Sequence, residues 1–452
     1  MPYAPACGVS AEPEASDGLI PSDCRASNER GHCMAACKQR CEVLVVGAGP
    51  VGLMAALLLH ERGIDVQIID EAWRSTGRSY AAAVHPRSLA LLAHVGIADS
   101  VVAQAHRIDT VAFYDVRELK ARVQLSEIQA KYPFVAVLPQ SSLEALLERA
   151  LRDRKVPIHW HHRASGFEAT KDRVIVEVDE FDRASTGYAY ARSTLEIKRT
   201  LKVESRYVVG ADGHRSLVRR AFGLDYPLIG AAEHYDVFEF ASSADLGSEV
   251  RVVLDDAMAN VLWSLPGGRQ RWSFQVADPG AEHRERLKSR LSMEVPGESS
   301  PKLTAEYLKT QINRRAPWFD AEVGDIAWTG EVHFEHRLTQ SFGEGFAWLA
   351  GDSGHQTGPI GVQSMNVGLC EAAELASRLE EVLRKKASAA VLEDYDQGRL
   401  SEWRRLLGLQ RGYQAGEAAG DWVRQYCQRL VECLPASGPH LDQLVAQLGF
   451  GP

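Results

Sequence analysis

The 452-residue chain has no uncharged apolar run of the roughly 18 residues needed to cross a bilayer. Its first residues carry neither a basic start nor an apolar signal core, so a cytoplasmic protein without a membrane partner is expected. An excess of positive charge is missing too: with Lys+Arg 51 against Asp+Glu 60, the net charge is -9. That balance gives no support to nucleic-acid binding and favours small-molecule chemistry. Cysteine is sparse and unevenly placed, five of the eight (Cys7, Cys24, Cys33, Cys37 and Cys41) lying at or before the first expected strand. Three of these repeat every fourth residue beside His32, but the spacing matches no zinc or iron–sulfur pattern, so reduced thiols and no metal are expected. No Ser-His-Asp or Cys-His signature is visible, which leaves catalytic side chains unassigned. Residues 1–33 are rich in Ala, Pro, Ser, Glu and Asp without periodicity. They read as a disordered tail, or as an upstream extension of a chain that effectively begins at Met34.

What is present begins at residues 42–70. An apolar run (Val43, Leu44, Val45, Val46) leads into Gly47, Ala48, Gly49, Pro50, Val51 and Gly52, then a helical pattern and a second short strand ending at Asp70. This is a βαβ unit suited to a dinucleotide: Gly47 for the sharp turn, Gly49 for close approach of a pyrophosphate, Gly52 for helix–sheet packing. The helix expected over 50–62 has proline in its first turn and Gly63 beyond its end. Its free amides would face phosphates. Asp70 lies about 20 residues beyond the fingerprint, where an acid accepts ribose hydroxyls, with Glu71 beside it. The glycines do not choose between NAD and FAD.

Two further strand–glycine–helix clusters follow. The second runs Tyr207, Val208, Val209, Gly210, Ala211, Asp212, Gly213 and a basic stretch with Arg215, Arg219 and Arg220; the third holds Gly351, Asp352, His355, Pro359 and Gly361 before a long helix over 366–386. Ligands in open α/β sheets lie beyond the carboxyl ends of strands, so the three turns can converge on one extended cofactor, although each alone is also a plain structural turn. Arg78 reads equally as a pyrophosphate ligand or a solvated surface arginine. A helix is expected from Ser141 or Ser142 through Arg152, with Glu144 as the capping-box partner of Ser141 and Gln140 at its entrance. Residues 226–340 alternate as an antiparallel sheet with a helix over 304–315. There Trp272 and Phe274 share a strand face and Trp263 is expected to face them, an aromatic wall that suits a substrate pocket or a core equally. Helices are expected over 392–407 and 413–434, sufficient for packing or a homodimer contact.

The three clusters, in this order from about residue 42 to 403, resemble those of the para-hydroxybenzoate-hydroxylase-like flavoprotein monooxygenases. The stretch GADGHRSLVRR from Gly210 is similar to that family's Asp-Gly motif, and Gly351, Asp352, His355 and Pro359 are similar to its third motif. Gln140 resembles a family glutamine near the cofactor. The family usually reads Gly-Gly-Gln-Gly-x-Asn after the proline; here the run is Gly361, Val362, Gln363, Ser364, Met365, Asn366, so two glycines carry side chains, and a following acid is Glu371. Positive-φ freedom would be lost at both positions.

The resemblance implies an α/β fold: a Rossmann-like FAD-binding domain with an inserted antiparallel β-sheet substrate domain and C-terminal helices. The implied division is a tail over 1–41, the FAD-binding domain over 42–225 with a β-rich insertion at 108–138, the substrate domain over 226–340, the last FAD-binding part over 341–400, and helices over 401–452. It implies an oxidoreductase: FAD as cofactor, NADPH or NADH as transient co-substrate, and O2 transferred to an aromatic or electron-rich small molecule as a hydroxyl or epoxide. A flavin dehydrogenase or reductase, or a non-catalytic redox sensor, would share the FAD motifs. No Trp-x-Trp-x-Ile-Pro run points to a halogenase.

Overall fold

Strand Arg40–Val46 is buried on both faces, with Val43, Leu44 and Val45 wholly without exposure, as a central parallel strand requires. The structure, a computed structural model, describes residues 37–73, 83–185, 193–256, 258–278, 280, 302–410 and 412–451. Arg78 lies outside the described residues.

In the main sheet the neighbours run Gly343–Glu344, Ala347–Leu349, Ser193–Gly210, Arg40–Val46, Val66–Asp70 and Ile158–Trp160; Val174–Ser185 pairs with Ser193–Gly210 and with His162–Ala169. The strands bearing the three glycine turns are therefore adjacent and parallel. They also end level: Val46 lies opposite Gly210, and Gly210 opposite Leu349. The strand leading into the second turn is long, running over Ser193–Gly210.

Helix Pro50–Glu61 is apolar around its whole circumference, and Pro50 through Leu59 are all buried. Such a helix must be covered on every side. Its neighbours are the sheet and the helices Gln140–Asp153 and Gln363–Leu383. The helix Gln140–Asp153 begins one residue earlier than expected, with Pro139 as its cap and no side-chain capping bond. The expected box is replaced by Gln140 Nε2 donating to Glu144 Oε1 at 2.7 Å.

The second sheet runs Val323–Phe334, Glu233–Ser242, Arg269–Val276, Met258–Leu265, Glu249–Asp255, Thr110–Asp115 and Leu119–Gln124, antiparallel except where Glu249–Asp255 meets Thr110–Asp115. The hairpin from 110 to 124, expected inside the first domain, thus extends this sheet.

Register corrects the expected aromatic wall. Leu262, not Trp263, lies opposite Trp272; Trp263 is opposite Arg271 and so projects from the other face. Trp272 and Phe274 stack at 4.9 Å in a closed core with Phe238, Leu308, Ile312 and Phe319 beneath helix Ala305–Arg315.

The C-terminal region is also more broken than expected. In place of one helix over 413–434, strand Gln414–Ala415 pairs with Phe450–Gly451, and short helices Asp421–Gln425, Cys427–Cys433 and Pro439–Gln447 follow. No helix among the described residues is long and apolar enough to cross a membrane.

Candidate functional site

At the end of the first strand, Gly47 takes φ +105°, and a Cβ there would sit 2.2 Å from the Ala211 carbonyl oxygen. A Cβ on Gly52 would lie 1.9 Å from the Gly47 oxygen. Gly49 differs. It is the cap of helix Pro50–Glu61 at φ -72°, with no side-chain cap and no acid in the first turn, and a Cβ there would meet nothing within 4 Å. The protein leaves open space and uncapped amides at this point, as an anion site does. Asp70 sets the turn: its Oδ2 accepts from the Ala48 amide at 2.6 Å and its Oδ1 from the Ala72 amide at 2.7 Å. Glu71 next to it is exposed. Val51 closes the gap to the third turn, where a Cβ on Gly351 would approach its Cγ2 to 3.0 Å.

In the second turn, Asp212 Oδ2 accepts from the amides of Leu217 at 2.6 Å and Val218 at 3.1 Å, while Oδ1 is buried with no hydrogen-bond partner among the described residues. Burial raises its pKa against the pull of those amides. Gly213 turns at φ +73°. Arg215 is exposed, and Arg219 links the turns instead, donating to the Ser353 carbonyl at 2.7 Å and the His214 carbonyl at 2.8 Å and stacking on Tyr226 at 3.9 Å.

The third turn is held from below. The fully buried Glu371 carboxylate accepts from Gly351 N at 2.8 Å, His355 Nε2 at 2.9 Å and Trp403 Nε1 at 2.7 Å. His355 also stacks on Trp403 with ring centroids 3.9 Å apart. The Asp352 carboxylate has no hydrogen bond or ion pair among the described residues; burial raises its pKa against the pull of His355 and His214. An unpartnered acid beyond the carboxyl end of a strand is suited to accept hydroxyl groups of a ligand.

The following loop is tied on both sides. Asn366 Nδ2 donates to the carbonyls of Ala83 and Val362, both at 2.9 Å, and Asn366 Oδ1 accepts from His85 N at 2.8 Å. His85, whose pKa burial drives down to about 3, is a neutral ring 3.0 Å from the Gly361 oxygen. Gln363 donates to Leu434 O at 2.6 Å and Ala436 O at 2.9 Å, joining the loop to the C-terminal region. Val362 sits in the left-handed region (φ 50°, ψ 41°), a conformation that costs an ordinary side chain about 1–2 kcal/mol. Ser364, by contrast, is helical and 3.2 Å from Thr357 Oγ1, so no positive φ is demanded there. Met365 packs on the main core.

A cavity of about 270 Å³ opens beside Gly358, Ile360 and Gly361, between this loop, the second sheet and helix Cys427–Cys433. Of its polar lining, Glu233, Tyr235, His336, Arg429 and Glu432 are singled out by no sequence motif, whereas Gln363 belongs to the loop after the third turn. Trp263, Trp272 and Phe274 do not line it. Gln140 lies at the start of its helix, engaged with Glu144.

The space at Gly49, the uncapped helix start and the unpartnered Asp352 fit FAD. A family model described as an FAD binding domain matches residues 40–408. The 6-methylpretetramide 4-monooxygenase of Streptomyces rimosus is 28% identical over 376 residues, covering 82% of this chain and 61% of that protein. The pentachlorophenol 4-monooxygenase of Sphingobium chlorophenolicum is 25% identical over 370 residues, covering 81% and 63%. The chain thus spans less than two thirds of the length of these two relatives. Among solved structures, the p-nitrophenol 4-monooxygenase PnpA of Pseudomonas putida DLL-E4 superposes with a TM-score of 0.64 at 22% identity, over 89% of this chain and 91% of that one, a likeness of fold.

Proposed function

The chain belongs to the FAD binding domain family, the para-hydroxybenzoate-hydroxylase-like flavoproteins, and from that premise we propose an FAD-dependent monooxygenase that uses NADPH or NADH and O2 to hydroxylate a small aromatic compound. When bound, FAD supplies hydride acceptance and oxygen activation. The chain's own residues bind, orient and exclude water. In this reading the first-turn amides behind Gly49 take the pyrophosphate, with Asp70 and Asp352 serving the two sugar-derived chains. Asp212 shapes the second turn by capping its helix. Residues 361–366 present backbone to the ring, held by Asn366 and Gln363.

The observation that carries the proposal is the cavity bordering that loop. It is a partly open cleft that sets apolar side chains such as Ile229, Ile360 and Leu406 beside polar groups from Glu233, Tyr235, His336 and Arg429, the mixture that orients a small substrate. The experiment supplies NADPH, labelled dioxygen and a panel of phenols to the yellow protein. One labelled oxygen atom in a product is expected. Turnover that releases only peroxide, or reduces an acceptor without oxygen transfer, would replace this reading with a dehydrogenase or reductase.

A further inference from the structure

On the face of the second sheet turned away from the cavity, two histidines meet. Strands Glu233–Ser242 and Val323–Phe334 set His234 directly opposite His333. Successive side chains alternate between faces, so His234 points to the opposite side of the sheet from Glu233 and Tyr235, which line the cavity. The two ring centroids are 4.6 Å apart, and the Nδ1 atoms face each other at 3.4 Å. Each outer nitrogen stands beside a carboxylate: Asp278 Oδ1 is 3.6 Å from His234 Nε2, and Glu335 Oε1 is 3.6 Å from His333 Nε2. His234 is buried, while the His333 side chain is 19% exposed.

A neutral imidazole carries one N–H, and a neighbouring carboxylate draws that proton to the nitrogen it faces. With the proton on Nε2 of both rings, two Nδ1 lone pairs converge on one point. Moving one proton inward would bridge the rings, but it would turn that ring's Nε2 lone pair on its carboxylate. The separation also exceeds the roughly 2.7–3.2 Å usual for an N–H donor. A metal ion between the nitrogens removes both conflicts. Bound tetrahedrally by imidazoles at about 2.0–2.1 Å, it holds neighbouring ligand atoms about 3.3–3.4 Å apart, the spacing found here. Metal-bound histidines ordinarily direct their second nitrogen at an acceptor such as a carboxylate, as both rings do.

The next rung of the ladder, Asp236 opposite Glu331, is engaged elsewhere. Lys302 Nζ lies 3.8 Å from Asp236 Oδ2 and 3.5 Å from Glu331 Oε1, and the Tyr307 hydroxyl donates to Asp236 Oδ2 at 2.7 Å. Among the described residues no group of three or more His, Cys, Asp or Glu is gathered for a metal, so the pair supplies two ligands and water the rest.

We propose that His234 and His333 form a two-histidine site for a zinc-like divalent cation, bound through both Nδ1 atoms, with Asp278 and Glu335 orienting the rings. Imidazole ligands suit Zn2+, Ni2+ or Cu2+, whereas Mg2+ and Ca2+ take oxygen. Val323–Phe334 is the outermost strand at its end of the sheet, and the ion staples it to its neighbour just before the chain reaches His336 in the cavity wall. The staple needs neither flavin nor substrate.

The test uses the FAD-loaded full chain, stripped with EDTA, dialysed and titrated with Zn2+ alone in a calorimeter. Thiols elsewhere in the chain are common to wild type and His333→Gln, so the difference between the two isotherms reports this site. Wild type is expected to bind one equivalent more than His333→Gln, and that equivalent should raise the thermal midpoint of wild type only, with FAD content equal in both. Identical isotherms overturn the proposal, as does a wild type that takes up no Zn2+. Asp278→Asn keeps both ring nitrogens and alters a side chain that is 55% exposed, so its folding is not at stake. It should bind the same number of ions about tenfold or more weakly; an affinity equal to that of wild type overturns the orienting role of the carboxylate and with it the proposed geometry.

Discussion

Glu371→Gln is the sharpest test of how the third turn is built. In the wild type, Oε2 serves Gly351 N and His355 while Oε1 serves Trp403 Nε1. A glutamine can keep its carbonyl oxygen toward the first two, which sets its NH2 against the indole N–H. One buried donor is then unmatched, at about 1–3 kcal/mol, and the His355 bond loses its charge assistance, about another 1 kcal/mol. The expected loss is about 2–4 kcal/mol, read as the urea midpoint at neutral pH. The pH dependence has a definite sign. Burial acts to raise the Glu371 pKa, but the charge and hydrogen bond of His355 and the Trp403 bond prevail and hold it below its ordinary 4.5. A carboxyl lowered on folding contributes stability that is fully present above the unfolded value and lost as pH falls through the folded one. The gap between wild type and variant should therefore narrow as the pH drops below 4.5. A variant within about 0.5 kcal/mol of wild type at neutral pH would refute the account.

The cofactor frame was legible because its information is local and steric. Gly47 and Gly52 are dictated by contacts of 2.2 and 1.9 Å that any Cβ would make, and such constraints fall at fixed spacing along one βαβ unit. The level ending of the three strands followed from the same motif occurring three times. Facing across strands was not legible in the same way. A one-residue difference in register puts Leu262 rather than Trp263 opposite Trp272, and periodicity within one strand carries no information about its partner's register.

The cavity was the least legible part. Glu233 and Arg429 are 196 residues apart, and their pairing is set by how helix Cys427–Cys433 packs against the second sheet. Helical periodicity over 413–434 was a real signal, but it is interrupted where Gly416 N bonds to Gly449 O and residues 414–415 join a strand pair. Arg429 was thus visible only as a polar position on an expected surface helix. Likewise, nothing local marks His85 as the ring beneath Gly361.

Two substitution pairs separate steric demands from ligand demands and from family habit. Gly47→Ala, which puts a Cβ 2.2 Å from Ala211 O at φ +105°, should cost at least about 2 kcal/mol in the FAD-free protein. Gly49→Val, with nothing within 4 Å of its Cβ, should leave that midpoint within about 0.5 kcal/mol yet yield colourless protein; a yellow Gly49→Val variant would move the pyrophosphate away from this turn. Restoring the family's glycines should give unequal results at the two positions. At Val362, relief of about 1–2 kcal/mol of left-handed strain is offset by glycine's extra unfolded-state freedom, about 0.5–1 kcal/mol, and by lost packing of a half-buried side chain, so Val362→Gly should stay within about 1 kcal/mol of wild type. Ser364 is helical and bonded to Thr357, so Ser364→Gly gains no strain relief and should lose about 1–2 kcal/mol from helix propensity and the missing hydrogen bond. If Val362→Gly proved the more damaging of the two in thermal unfolding, the left-handed residue would be stabilising the loop through its side chain, and backbone conformation would not be what the family glycine at this position supplies.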